Sequence, residues 1–108
     1  MKYKKGDVVY IAQLIPGRTL SRLNTKILPK KVVVQEPYDT DYYMTLSYIP
    51  EGEKHTFCAY NYQGSLIVSS SIEECIEKFN DQVDKIIKEK EETLEKWKEK
   101  MKKLKILL

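Results

Sequence analysis

The sequence contains little glycine, cysteine or histidine, and each shortage argues against a class of chemistry. Its 108 residues include four glycines, two cysteines and one histidine. The glycines (Gly6, Gly17, Gly52 and Gly64) are too scattered to form the phosphate-binding loop of a nucleotide-binding protein. Because His55 is the only histidine, we find no partners for a catalytic triad or a metal site. We therefore expect no enzyme activity, no metal and no cofactor.

Long apolar runs are also missing. No stretch approaches the roughly eighteen apolar residues of a membrane span, and the opening MKYKKGD lacks the apolar segment of a secretion signal. Cys58 and Cys75 do not have the spacing of a metal-binding pair. The sequence therefore predicts a cytoplasmic protein with no membrane-bound part, in which both thiols are reduced and semi-buried.

Residues 1–70 contain five β-rich segments separated by turn signals. These segments are Asp7–Ile15, Thr25–Gln35, Asp41–Ile49, His55–Asn61 and Ser65–Ser69. Pro29 lies inside the second segment, and we expect it at a sheet edge or a bulge because proline lacks a backbone donor. The pattern favours an α+β fold that starts with a small five-stranded antiparallel SH3-like barrel over residues 1–70; a five-stranded open sheet is the alternative.

Residues 71–108 contain no glycine or proline and follow the spacing of one long amphipathic α-helix. Ser71 and Glu74 form a capping-box pattern at its start. Apolar side chains then recur every three or four residues, at Ile72, Cys75, Ile76, Phe79, Val83, Ile86 and Ile87, and again at Leu94, Trp97, Met101, Leu104 and Leu108. Lys90 interrupts this series, and the spacing slips there as in the stutter of a coiled coil.

The predicted helix is too long for the predicted barrel. About 37 helical residues span roughly 55 Å, whereas a barrel of about seventy residues is only about 28 Å across. We therefore expect residues 71–87 to pack on the barrel and residues 88–108 to project as a coiled-coil-like segment.

The projecting part carries an apolar series that we call the C-terminal stripe: Leu94, Trp97, Met101, Leu104 and Leu108. These side chains would form a sticky patch if left in water. Three outcomes are open: the stripe pairs with a second copy, the helix breaks near Lys90–Thr93 and folds back, or the stripe binds another protein. We expect the stripe to mediate partner binding and oligomerisation, with Trp97 as the strongest contact.

A second candidate surface is basic and lies in the first seventy residues. Its members are Arg18, Arg22, Lys26, Lys30 and Lys31, followed by Tyr43. Basic groups that hold phosphates beside aromatic rings that stack on bases are typical of small barrels that bind single-stranded nucleic acid. The alternative is that the lysines protect an exposed strand edge from aggregation.

The opening Lys4–Val9 (KKGDVV) followed by Tyr10 resembles the first strand of SH3-like, KOW-type barrels. A late strand (LIVS) then runs into a helix that begins SIEECIE. This arrangement resembles small accessory proteins of bacteriophages and related mobile elements, although Cys75 stands where those proteins usually have alanine. The resemblance implies a non-enzymatic protein made in the cytoplasm of a bacterial host, and inhibition of a host defence system is one role it allows.

We therefore predict a phage-encoded protein-interaction module that binds a host protein and forms a dimer through its C-terminal helix. The alternative prediction is a nucleic-acid-binding small barrel that uses residues 18–31.

Overall fold

The computed structural model describes residues 2–18 and 22–105, and the structural statements below concern those residues. Seven strands and one short 3₁₀ helix (Tyr62–Gly64, between the last two strands) precede one α-helix. The strands are β1 (Lys2–Tyr3), β2 (Val8–Pro16), β3 (Leu23–Val34), β4 (Tyr38–Asp39), β5 (Thr45–Pro50), β6 (Phe57–Tyr60) and β7 (Leu66–Ser69), followed by α1 (Ile72–Lys103).

The five long strands form one antiparallel sheet in the order β6-β5-β3-β2-β7. Strands β1 and β4 make a separate two-stranded ladder. The predicted α+β class, with five antiparallel strands and one long C-terminal helix, is therefore confirmed. The sheet is not closed into a barrel, because within residues 2–18 and 22–105 no ladder joins its two edges, β6 and β7.

A glutamine side chain connects the two edges where no ladder joins them. Gln13 is buried, and its Nε2 donates to the carbonyl oxygen of Tyr60 at 2.7 Å and to Ser65 Oγ at 3.0 Å. Tyr60 is the last residue of β6 and Ser65 immediately precedes β7. The backbone N–H of Leu66 in turn donates to Asn61 Oδ1 at 3.0 Å. Side chains thus supply polar contacts at the open seam.

Strand β3 is interrupted by a bulge at Pro29. The register on either side leaves Ala12 of β2 opposite both Leu28 and Pro29. The prediction that Pro29 lies at an edge or a bulge is confirmed. Beyond the bulge, β3 pairs with β5 only through Val32–Val34, so its earlier part has β2 on one side and no described strand on the other.

Strand β2 is buried on both faces. One face contributes Val9 and Ile11 to the main core. That core also contains Tyr3, Val32, Val34, Tyr38, Leu46, Tyr48, Ala59 and Leu66. On the other face, Ala12 packs with Ile67 and with Cys75 of the helix, flanked by Tyr10 and Phe79. The helix therefore covers the outer face of β2 and β7.

The helix begins as its capping pattern predicts, except that the backbone N–H of Ser71 donates to Ser69 and not to Glu74. Ser71 is the N-cap, and its Oγ accepts a hydrogen bond from the backbone N–H of Glu74 at 3.2 Å. The N–H of Ser71 donates to Ser69 Oγ at 3.3 Å, and the Glu74 carboxylate pairs with Lys78 at 2.8 Å. The hydrogen bond from Lys78 holds the pKa of Glu74 below its usual value.

Two sequence predictions of secondary structure are wrong in detail. The strand expected from Asp41 starts only at Thr45, because Asp39 holds a turn: its carboxylate accepts from the N–H of Asp41 at 3.0 Å, and its carbonyl accepts from the N–H groups of Tyr42 and Tyr43 at 3.1 and 2.9 Å. Short strand β4 lies in a stretch expected to be a turn.

The helix ends at Lys103, five residues before the predicted end, and Leu104 is its C-cap. Its 32 residues still span about 48 Å. The molecule measures 69 × 27 × 22 Å, and the radius of gyration of 18.3 Å exceeds the roughly 13 Å of a compact chain of this length. The helix makes the protein elongated.

We expect Gln13→Leu to destabilise the fold by about 1–3 kcal/mol, because it leaves the Tyr60 carbonyl and the Ser65 hydroxyl without their buried donor. The measurement is the free energy of unfolding in urea. Gln35→Leu is the matched control, since that amide donates only to Val33, two residues away. Equal losses in the two variants would contradict the role given to Gln13.

Candidate functional site

Two polar side chains of the helix bind backbone carbonyls of the sheet region. Gln82 Nε2 donates to the carbonyl oxygen of Ser65 at 2.9 Å. Two turns later, Lys90 Nζ donates to the carbonyl oxygen of Gly17 at 2.8 Å. Lys90 is half-buried, and among the described residues it makes the last hydrogen bond from the helix to another element. The lysine that interrupts the apolar series is therefore a contact residue, a role that the sequence analysis missed.

The acceptor of Lys90 lies in a tight turn after β2. Gly17 is buried, and its N–H donates to the carbonyl oxygen of Arg22 at 2.7 Å. A Cβ at position 17 would lie 2.8 Å from that same oxygen, so this close approach requires glycine. The turn thus presents a fixed carbonyl to the helix.

The helix continues without a break beyond this contact. Residues 90–93 lie within α1, and Thr93 Oγ1 donates to the Glu89 carbonyl at 2.9 Å along the helix. Of the three outcomes left open by the sequence, the one in which the helix breaks near Lys90–Thr93 and folds back is therefore wrong. Uninterrupted i to i−4 hydrogen bonding and the absence of glycine and proline give this segment no point at which to turn.

The C-terminal stripe lies on the part of the helix beyond Lys90. Trp97 is 58% exposed and Leu104 is 67% exposed, whereas Leu94 and Met101 are half-buried. Leu108 lies outside the described residues. Two large apolar side chains on one helix thus face solvent within two turns of each other, and the stripe's role in partner binding stays a prediction.

The C-terminal stripe faces the same side of the helix as the sheet. Trp97 follows Phe79 by eighteen residues, which is about five full turns at 3.6 residues per turn. Phe79 packs against the outer face of the sheet, and Lys90, seven residues before Trp97, reaches the turn after β2. The stripe therefore faces the corner between the projecting helix and the end of the sheet.

Lysines border the C-terminal stripe. Residues 96–105 contain six lysines and one glutamate, and Lys98, Lys100 and Lys105 flank the stripe on the helical projection. Glu91 lies on the same flank as Lys98 and Lys105, one heptad earlier. The border of the stripe is acidic near the sheet and basic towards the end of the helix.

The basic residues predicted for nucleic-acid binding are exposed but do not share one face. Paired residues of an antiparallel sheet point to the same side of the sheet. Lys26 pairs with Leu14 and Lys31 pairs with Tyr10, so both lysines point to the side that the helix covers. Lys30 pairs with Ile11, whose side chain enters the main core on the opposite face. The remaining candidates lie elsewhere: Arg18 follows β2, Arg22 precedes β3, and Tyr43 lies before β5.

The groups capable of catalytic chemistry are separated. His55 is exposed in the loop before β6. Cys75 lies on the side of the helix that faces the sheet and is fully buried. Burial raises the pKa of its thiol, which disfavours the reactive thiolate. Cys58 is exposed, so the expectation of two semi-buried thiols is wrong for both cysteines. Across residues 2–18 and 22–105, no group of three or more histidine, cysteine, aspartate or glutamate side chains is arranged to hold a metal ion.

Comparison with protein-family models, curated proteins and solved structures finds no significant match to this chain. Within the described part of the chain, no helix combines the length and the apolar character needed to cross a membrane.

We expect Lys90→Met to lower the free energy of unfolding by about 1–2 kcal/mol, because a charged donor to the Gly17 carbonyl is lost from a half-buried position. Urea denaturation measures the change. Lys88→Met provides the control, since Lys88 is exposed on the same helix. Identical stabilities for the two variants would show that the contact contributes nothing.

Proposed function

We propose that this chain is a non-enzymatic protein-interaction module. The sheet and the part of the helix packed on it form a rigid base, and the C-terminal stripe is the surface that contacts another protein chain. In this proposal the chain also self-associates through the same stripe. Leu94, Trp97, Met101 and Leu104 make the contacts, and Leu108 extends the series in the sequence.

The observation that carries the proposal is the exposure of Trp97 and Leu104 on a continuous helix. Complete burial of a large apolar side chain is worth about 1.5–3 kcal/mol, so a partner that covers both gains a substantial free energy. Tryptophan is also among the residues that most often dominate binding at protein interfaces. The stripe therefore has the composition of a contact surface.

The finer features of the fold and origin belong to the same proposal. Strand β3 pairs with β2 along most of its length but with β5 only through Val32–Val34, which supports a bent, partly open SH3-like barrel. The resemblance to bacteriophage accessory proteins supports a partner from a bacterial host, with a host defence protein as one candidate, and a site of action in the host cytoplasm.

Nucleic-acid binding through residues 18–31 has less support. Lys30 and its neighbours Lys26 and Lys31 point to opposite faces of the sheet, and Tyr43 follows a different strand. A phosphate backbone that crosses one face would therefore meet only part of the basic set. The position of Pro29 in a strand with a free edge favours the protective role of the lysines.

We expect Trp97→Ala to weaken binding of the protein partner by about 30-fold, the equivalent of a contact worth about 2 kcal/mol. Affinity purification with quantitative mass spectrometry, repeated with the purified partner, measures the loss. Tyr42→Ala is the matched control because Tyr42 is an exposed aromatic residue that is not part of the C-terminal stripe, at 82% exposure.

Both variants should keep the thermal stability of the parent chain. A large fall in melting temperature for Trp97→Ala would make Trp97 a core residue and overturn the proposal. Unchanged binding by Trp97→Ala would overturn it as well.

A further inference from the structure

The corner beside the C-terminal stripe restricts what can cover it. The sheet lies on the same side of the helix as the stripe, and the contact from Lys90 to Gly17 marks where the sheet ends. The helix continues for thirteen residues beyond Lys90, which is about 20 Å. A rod of about that length fits along the helix in this corner, whereas the sheet would hold a broad flat surface away from the stripe.

The same corner excludes one of the two ways in which two copies of the chain could pair. If two parallel helices met through their stripes, each sheet would occupy the space needed by residues 72–90 of the other helix. If the helices are antiparallel, each free segment enters the corner of the other copy, and the two sheets lie at opposite ends. The shape is therefore self-complementary only in the antiparallel arrangement.

An antiparallel register exists in which the described stripe residues cover one another. With Trp97 beside Met101 of the second copy, Leu94 lies beside Leu104 of the second copy, and both contacts occur twice by symmetry. Among the described residues, the overlap then runs from about residue 93 to 105. It begins three residues after Lys90, which makes the last described hydrogen bond from the helix to another element.

The charges bordering the stripe support this register at its ends. Glu91 of each copy comes near the C-terminal end of the other helix, where Lys105 follows the C-cap Leu104, because flanking positions of one kind meet each other in antiparallel coiled coils. Lys98 and Lys100 of both copies lie near the two-fold axis, where long side chains extend into solvent and their repulsion is screened. A parallel pair would place Lys100 near Lys105 and leave Glu91 without a lysine.

From shape, register and charge together, we infer that the C-terminal stripe binds a second copy of this chain in an antiparallel helix pair centred near residue 99. The inference rests on the proposed function, since it names the partner of the same stripe. Because the overlap is short, the association is weak enough to depend on protein concentration.

Light scattering after size-exclusion chromatography tests the pairing. At high micromolar concentration, the full chain should have twice the monomer mass of 12.7 kDa. Trp97→Ala should weaken the dimer by at least tenfold and return the mass to that of the monomer. Glu99→Ala, on the opposite side of the helix, is the matched control and should remain dimeric.

Spin labels on single cysteines test the direction of the pair. In a Cys58→Ser background, labels at Lys88→Cys should lie about 33 Å apart along the helix axes, and labels at Lys102→Cys about 9 Å apart. Double electron–electron resonance would therefore measure a clearly longer distance between the two labels at position 88 than between the two labels at position 102. Equal distances at the two positions would indicate a parallel pair and overturn the inference.

The other outcomes separate this inference from the proposed function. A chain that stays monomeric but needs Trp97 to bind a different purified protein overturns the pairing and the self-association in the proposed function, and leaves its protein-interaction role standing. A monomer that co-sediments with anionic phospholipid vesicles through Trp97 assigns the stripe to a lipid surface, which overturns the pairing and contradicts the proposed function. If Trp97→Ala alters neither mass nor protein binding, both are overturned.

Discussion

The burial of β2 on both faces is the constraint on which the rest of the structure depends. Val9 and Ile11 enter the main core, while Ala12 on the other face needs a second apolar layer. Within residues 2–18 and 22–105, no further strand supplies that layer. The helix supplies it through Cys75 and Phe79, and the completed sandwich of sheet and helix gives the small domain enough buried apolar surface to be stable.

Polar contacts then fix where the helix lies on that apolar layer. Apolar packing alone tolerates sliding, because area-dependent attraction has little directionality. Gln82 binds the Ser65 carbonyl and Lys90 binds the Gly17 carbonyl, and the two contacts are about two turns apart along the helix. They set both the rotation and the axial position of the helix, so the direction of the free segment follows from the same two hydrogen bonds.

The sequence predicts the parts of this fold that depend on local periodicity. Strand spacing, the Ser71 cap and the long helix are all encoded by nearby residues. The α+β class and the bulge at Pro29 could therefore be predicted from the sequence. The sequence left an open five-stranded sheet as the alternative to a barrel. The polar contacts at the open seam were not predictable, because Gln13 meets Tyr60 and Ser65, more than forty residues away in sequence. Lys90 gave a signal, a charge at an apolar position, but its partner Gly17 lies 73 residues earlier.

The C-terminal stripe is exposed because the helix is longer than the sheet that covers its first part. A sheet strand of nine residues, such as β2, is about 30 Å long, whereas the helix it carries is about 48 Å long. The apolar spacing nevertheless continues past Lys90 and keeps to the side on which the sheet lies. Spacing of this kind stabilises a free helix only slightly, by about 0.2–0.5 kcal/mol for each pair of neighbouring apolar side chains. Its persistence beyond the end of the sheet is the reason for our proposal that another surface enters the corner beside the sheet.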